Sequence, residues 1–307
     1  MRVVVFAYHD MGIVGLEALK RNGFEIAAIF SHDDDPGENC WFGSVKDWGR
    51  GAGIDVFCPA DVNLPDEAGR IAALRPEALF SFYYRRMFGR EILNLTPGKA
   101  FNLHGSLLPS YRGRAPVNWV LVNGEKRTGV TLHIMTEKPD AGGIVGQRAV
   151  AIDETDTART LYGKLCREAG LLLDEVLPLI REGRETLTPQ ELSRGSYYGG
   201  RRPEDGRIDW NWPSRRIYNL VRAVTDPYPG AFAFLPDGRK LLVWWGAPGA
   251  GGIRTDRPGA VWIDGDKVAV RTGDGMLHLQ HVQIDGVHLR GDSLRDYFKD
   301  KEGAVLT

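Results

Sequence analysis

Two residues able to share acid–base work, Asn102 and His104, stand two positions apart in Phe101-Asn102-Leu103-His104-Gly105. In an extended segment, side chains at i and i+2 share a face, so an amide donor and a titratable imidazole can meet one ligand atom. That pair suits acyl transfer, in which negative charge grows on a carbonyl oxygen while a proton changes hands. The continuation Ser106-Leu107-Leu108-Pro109-Ser110-Tyr111-Arg112-Gly113-Arg114-Ala115-Pro116 is rich in Gly and Pro, which dictates a specific loop. An Asn-x-His pair can equally be a satisfied polar pair without chemistry, and spacing alone leaves both readings open. A second candidate is Asp140, in the constrained stretch Lys138-Pro139-Asp140-Ala141-Gly142-Gly143 after an expected strand at 130–135. A buried carboxylate can orient and charge a histidine, but the sequence alone does not put Asp140 beside His104.

The elements that must position these residues follow from apolar periodicity. Residues 3–7, Val-Val-Val-Phe-Ala, form a continuous apolar run, as in a strand covered on both faces of a parallel sheet. Ile13, Leu16 and Leu19 recur at helical spacing before the stop Asn22-Gly23. Further strands are expected at 24–30, 56–58 and 78–82, with a helix at 68–74. Alternation of this kind implies an α/β fold with a doubly wound, mostly parallel, Rossmann-like sheet. Such sheets bind ligands at the carboxyl ends of their strands, where Tyr8-His9-Asp10-Met11-Gly12 follows the first one. Gly12-x-x-Gly15 is not the dinucleotide fingerprint, so no NAD is expected.

From about 186 to 207 the pattern dissolves into Pro, Gly, Ser and Arg. The expected division is a catalytic domain at 1–190, a linker at 191–206 and a second domain at 207–307. The last part opens with a helix at 214–224, whose Ile217, Leu220, Val221 and Val224 share a face. Short strands follow at 231–235, 241–245, 260–263, 268–270 and 277–282, separated by turns such as Asp264-Gly265, which suggests a small open β-barrel.

Composition narrows the classes of function. The 307 residues carry a formal net charge of -1, so no overall basic field draws in nucleic acid, and none is expected as a partner. Cys40, Cys58 and Cys166 have no metal-ligand spacing, which argues for a reducing compartment and against a metal centre. No signal-peptide core or membrane-length apolar run occurs, and a cytoplasmic protein is expected.

Asn102-x-His104, Ser106-Leu107-Leu108-Pro109 and the downstream Asp140 resemble the signature of the 10-formyltetrahydrofolate-dependent formyltransferases. The likeness extends to Val4-Val5-Phe6-Ala7-Tyr8-His9-Asp10-Met11-Gly12, to Phe80-Ser81-Phe82-Tyr83-Tyr84-Arg85 and to Asn118-Trp119-Val120-Leu121-Val122-Asn123-Gly124-Glu125. Val221-Arg222-Ala223-Val224 and Pro229-Gly230-Ala231-Phe232 continue it. Within the family these stretches are most similar to the branch that formylates UDP-4-amino-4-deoxy-L-arabinose for lipid A. In that branch the formyltransferase is fused to a decarboxylating dehydrogenase, so a separate dehydrogenase of the same pathway is an expected partner.

The resemblance implies 10-formyltetrahydrofolate as formyl donor and a nucleotide-linked amino sugar as acceptor. It implies His104 as the catalytic acid, Asn102 as the oxyanion stabiliser and Asp140 as the group that raises the histidine's pKa. The folate is implied to lie along Arg86-Met87-Phe88, Arg114 and Thr136-Glu137-Lys138-Pro139-Asp140. For the acceptor and its diphosphate, Tyr8, His9, Arg201, Arg202 and Arg222 are candidates. Methionyl-tRNA as acceptor and a catalytically silent binding protein are the competing readings. The near-neutral charge speaks against the first, and retention of Asn102, His104 and Asp140 against the second.

Overall fold

The computed structural model describes residues 1–34, 37, 39–249 and 257–307. It divides into two compact units. One comprises Met1–Pro116, Arg127–Ile152 and Tyr162–Gly199, the other Val117–Lys126, Asp153–Leu161 and Gly200–Thr307.

In chain order the first half runs β1 (Arg2–Ala7), α1 (His9–Arg21), β2 (Glu25–Phe30), α2 (Val45–Ala52), β3 (Val56–Phe57), α3 (Pro65–Ala73), β4 (Ala78–Phe82), α4 (Arg90–Leu93) and β5 (Ala100–His104). It continues with β6 (Arg112–Gly113), α5 (Pro116–Val122), β7 (Arg127–Ile134), β8 (Ile144–Ala151), α6 (Ala158–Glu182) and β9 (Tyr197–Tyr198). The main sheet has the order β3-β2-β1-β4-β5-β7-β8. Strands β1 to β5 pair in parallel, whereas β7 runs antiparallel to both β5 and β8.

The chain winds outward from β1 through β2 to β3, then returns to the other side of β1 as β4. This reversal opens the crevice where such sheets take ligands. Val3, Val4, Val5 and Phe6 are fully buried, as expected of a strand covered on both faces. Helix α1 lies close against β4 because residue 15 is glycine. A Cβ there would stand 2.2 Å from the Phe82 ring. The antiparallel turn at β5 matters most for chemistry, since its register puts Asn102 opposite His133 and His104 opposite Thr131.

The second unit holds α7 (Ser214–Val224), β10 (Ala231–Phe234), β11 (Lys240–Gly249), β12 (Val261–Asp264), β13 (Lys267–Arg271), β14 (Met276–Ile284), β15 (Val287–Arg290) and α8 (Gly291–Lys299). The antiparallel order is β10-β11-β14-β13-β12, with β15 also paired to β14. Residues 304–307 reach both ends of this path. Thr307 exchanges backbone hydrogen bonds with Phe234 of β10, while Val261 N–H of β12 donates to the Ala304 carbonyl. The expected barrel-like sheet is therefore present and stitched across its opening by the last residues.

Several elements lie outside the sequence reading. They include α2, α4, α5, β8, β15, α8 and the 25-residue α6, which accommodates Pro178. The stretch expected as a linker also has structure of its own. Leu192–Arg194 and Pro203–Gly206 are 3-10 turns, and β9 pairs in parallel with β6.

Candidate active site

Asp140 is the hub of the site. Its Oδ2 is anchored by a 2.8 Å hydrogen bond from the Gly113 N–H. Its Oδ1 meets three groups at longer range: Asn102 Nδ2 at 3.4 Å, His133 Nε2 at 3.4 Å and His104 Nδ1 at 3.5 Å. One oxygen thus fixes the carboxylate while the other holds a loose trio of polar groups around a single point. The loop is fixed from behind as well, because Gln190 Nε2 donates to the carbonyls of Asp140 and Gly142 at 3.0 and 2.6 Å. Asp140 has a φ of 50°, a left-handed conformation that Asp and Asn tolerate better than most residues.

The tautomers follow from backbone carbonyls. His104 Nε2 lies 2.8 Å from the Tyr111 carbonyl and must carry a hydrogen to satisfy it. The titrating nitrogen of His104 is therefore Nδ1, which faces Asp140. His133 Nδ1 lies 2.8 Å from the Ile134 carbonyl, and its Nε2 lies 3.1 Å from Asn102 Nδ2 and 3.4 Å from Asp140 Oδ1. Burial pushes the His104 imidazole below its ordinary pKa, against the upward pull of Asp140 and the Tyr111 carbonyl. Burial also opposes the Asp140 carboxylate, but His104, His133 and the Gly113 N–H outweigh it and hold that group well below the usual carboxylate range. Burial thus works against the imidazolium, while its neighbours favour the carboxylate.

The Gly/Pro-rich loop after β5 is braced by hydroxyl and amide groups. Ser106 Oγ donates to the Ser110 carbonyl at 2.7 Å, Thr131 Oγ1 to the Ser106 carbonyl at 2.7 Å, and Gln147 Nε2 to the Leu108 carbonyl at 2.9 Å. Tyr111 stacks on Tyr198 at 5.0 Å, and its N–H donates to Ser196 Oγ. Segment 196–198 is thereby a wall of the loop that carries Gly113.

The two loops expected to hold folate lie side by side. Arg90, just after 86–88, forms an ion pair with Glu137 at 2.7 Å. Asn63 clamps the first loop by donating to the Met87 carbonyl and accepting from the Gly89 N–H. Arg86 and Met87 are exposed, but Phe88 is buried in the apolar core with its ring 4.4 Å from that of Phe6. Phe88 can therefore meet a ligand only through its backbone, which corrects the expectation for its side chain. Thr136 Oγ1 donates to the Lys138 carbonyl, closing the second loop on itself. Thr136, Glu137 and Lys138 are exposed, Pro139 is half-buried, and Arg114 is exposed beside the hub. A clamped backbone edge next to exposed Arg86 and Met87 fits a flat heterocycle that carries an anionic tail.

The formyl transferase profile matches residues 1–177, and the formyl transferase C-terminal domain profile matches residues 201–291. The chain belongs to the formyl transferase family. Among solved structures it resembles an N-formyltransferase from Helicobacter canadensis in complex with folinic acid and dTDP-3-aminofucose. That match has a TM-score of 0.71 at 21% identity and covers 91% of this chain and 98% of that one. The sugar 3N-formyl transferase WlaRD, in the presence of dTDP and 5-N-formyl-THF, gives 0.70 at 20% identity over 94% and 98%. HypX from Aquifex aeolicus in complex with tetrahydrofolic acid gives 0.63 at 18% identity, covering 97% of this chain and 47% of that one. At these identities the likenesses establish the shared fold.

Of the residues expected to meet the acceptor in this formyl transferase, Tyr8 and His9 belong to the first unit and Arg201, Arg202 and Arg222 to the second. Tyr8 and His9 stand at the end of β1, yet both are buried. The Tyr8 hydroxyl donates to Asp34, and the Arg85 guanidinium lies 4.6 Å from its ring. His9 stacks on Phe42 at 3.6 Å and shares a 2.8 Å hydrogen bond with the Tyr162 hydroxyl. Burial, aided by Arg85, lowers its pKa to about 3, so it is an uncharged packing group and not a cation for a diphosphate. Arg222 also departs from expectation. It is 2% exposed, with Nε on Asn219 Oδ1 and Nη1 on the carbonyls of Asp153 and Asp156. Those partners make it a tie inside the second unit, closed to an acceptor. Arg201 is half-buried over Trp119, and Arg202 is exposed.

The residue that sequence reasoning missed is His133. A signal existed in Thr131-Leu132-His133, which alternates along β7 as Asn102-Leu103-His104 does along β5. Only the antiparallel register makes the two stretches neighbours.

Proposed function

We propose that this formyl transferase moves a formyl group from 10-formyltetrahydrofolate to the primary amine of a nucleotide-linked amino sugar, UDP-4-amino-4-deoxy-L-arabinose, in the cytoplasm. The observation that carries the chemistry is the Asp140 hub, which joins Asn102, His104 and His133 through a single carboxylate oxygen. Support for a sugar-nucleotide acceptor comes from the two sugar formyltransferases of the same fold. Support for the uridine-linked sugar comes from the sequence stretches running from β1 to β10.

The donor supplies a formyl carbon bonded to a nitrogen that can leave. Asp140 holds on His104 Nδ1 a proton taken from solvent, which returns to solvent after turnover, so the imidazolium meets the negative charge growing on the formyl oxygen while Asn102 Nδ2–H turns from His133 and Asp140 toward it. The bond from acceptor nitrogen to formyl carbon forms as the bond from N10 to that carbon breaks. One amine proton leaves and N10 gains one, so no net proton is consumed. In the substrate-free form His104 Nε2–H rests on the Tyr111 carbonyl, and productive binding moves it to the reacting oxygen. Buried walls around His104 keep this exchange in a low-dielectric setting.

The test is a competition in which equal UDP- and dTDP-linked 4-amino sugars are offered with limiting donor, and products are resolved by mass. Preference for the uridine-linked acceptor is expected. Comparable turnover of the dTDP-linked sugar would overturn the acceptor assignment and leave the transfer chemistry standing.

A further inference from the structure

The second unit contains a cavity of about 350 Å³ with no part in the chemistry above. It is lined by Trp119 and Val122 of α5, by Arg201, Glu204, Asp205 and Arg207 around the 3-10 turn, and by Trp212, Arg216 and Leu220. Three short segments from distant parts of the sequence therefore build one concavity. The helical pairs explain its polarity. Trp119 and Val122 are three apart on α5, and Arg216 and Leu220 are four apart on α7, so each helix contributes an apolar residue and a larger neighbour to one face.

The cations there are poorly compensated. Arg216 lies 3.9 Å from the centre of the Trp212 ring and Arg207 5.6 Å from that of Phe234, and neither forms an ion pair among the described residues. Arg201 stacks on Trp119 at 4.7 Å, and its Nη2 donates to the backbone carbonyl of Asp205 instead of a carboxylate. The Asp205 carboxylate caps the turn by accepting from the Arg202 N–H at 2.7 Å. Cation–π contacts hold guanidinium groups without neutralising them, and they leave planar N–H forks available for an anion. Set against the Glu204 and Asp205 carboxylates that also line it, the three guanidiniums leave the hollow one positive charge in excess.

We infer that this cavity binds a nucleotide of the nucleoside diphosphate class, with its base against the indole and guanidinium planes and its phosphates on the arginine forks. A phosphate alone has no use for two indoles, and a neutral aromatic has none for guanidiniums of which two, Arg207 and Arg216, form no ion pair among the described residues. The volume also falls within the range of small-molecule sites, roughly 300–1,000 Å³. Arg201 is shared with the acceptor candidates of the proposed reaction, whereas Arg207, Trp212 and Arg216 are not, so variants of those three test this cavity alone.

The test is quenching of tryptophan fluorescence by UDP in the intact protein, with ribose 5-phosphate and inorganic phosphate as probes lacking the base. Saturable quenching by UDP is expected, weakened by salt and at least about tenfold in Arg216→Ala and in Arg207→Ala. Trp212→Phe keeps an aromatic face, so it should keep affinity measured calorimetrically while losing most of the fluorescence change. Thermal melting identifies any variant that fails to fold, and such a variant is replaced by Arg216→Gln. Equal UDP affinity in the parent and the arginine variants, or UDP binding no better than inorganic phosphate, would overturn the assignment.

Discussion

Replacing Asp140 by Asn separates the charge of the hub from its shape. Asn keeps an oxygen to accept from the Gly113 N–H, and it tolerates the left-handed φ of 50° at this position. What disappears is the negative charge 3.5 Å from His104 Nδ1. Burial already depresses the His104 pKa, and Asp140 is the leading group opposing it. The variant's imidazolium fraction at neutral pH must therefore fall further. A carboxylate within about 4–6 Å typically changes such a fraction by about 10- to 10³-fold, which sets the expected loss in single-turnover formyl transfer. The sign of the pH dependence follows. As pH drops through the parent's folded pKa, the parent saturates while the variant keeps gaining protonated histidine, so the ratio of parent to variant rates shrinks. Taking that ratio at each pH cancels protonation of the acceptor amine, which affects both proteins alike. The assay is rapid-quench transfer with excess enzyme, with donor binding measured separately. A variant with the parent's rate and profile would refute the reasoning and leave Asp140 a loop residue.

His104→Ala should lose roughly 10²–10⁴-fold in transfer and show no recovery at low pH, since no imidazole remains to protonate. His133→Ala leaves Asn102 Nδ2 without its 3.1 Å partner and should slow transfer about 10- to 100-fold with folate binding little changed, read as a kcat effect. Gly113→Ala puts a Cβ 2.2 Å from the Tyr198 carbonyl at a φ of 96°, so denaturant unfolding should show a loss of at least about 2 kcal/mol. Because the Asp140 pKa is depressed on folding, its stabilisation is present above the unfolded value of about 3.9 and fades as pH falls through the folded one. Melting temperatures should thus fall more steeply in acid for the parent than for Asp140→Asn.

What could be read from the sequence was what rests on local pattern. The run at 3–7, the helix face at 214–224 and the Asp-Gly turns after 235 are each fixed by neighbours in the chain, and they appear within a residue or two. The pairing of Asn102 with His104 was legible because period-two alternation acts over three residues. The role of His133 was not, because it depends on β7 turning antiparallel against β5, a contact 31 residues distant. The burial of His9 and Arg222 was equally hidden. Their polar side chains look like surface groups until Phe42 and Tyr162, or the Asp153 and Asp156 carbonyls, are brought around them by tertiary folding. Phe88 gave the opposite error, since its neighbours in a loop mask its place in the core with Phe6.

Formyl transfer driven from the Asp140–His104 pair can be followed atom by atom. Purified parent and His104→Ala proteins are each given 10-formyltetrahydrofolate with a ¹³C-labelled formyl group and an amino-sugar nucleotide. The product is followed by the carbon signal of the new formamide. A labelled formamide on the sugar nitrogen is expected with the parent, at a rate His104→Ala fails to match by roughly 10²–10⁴-fold. Label that stays on the folate with the parent, or moves equally fast with both proteins, would contradict it.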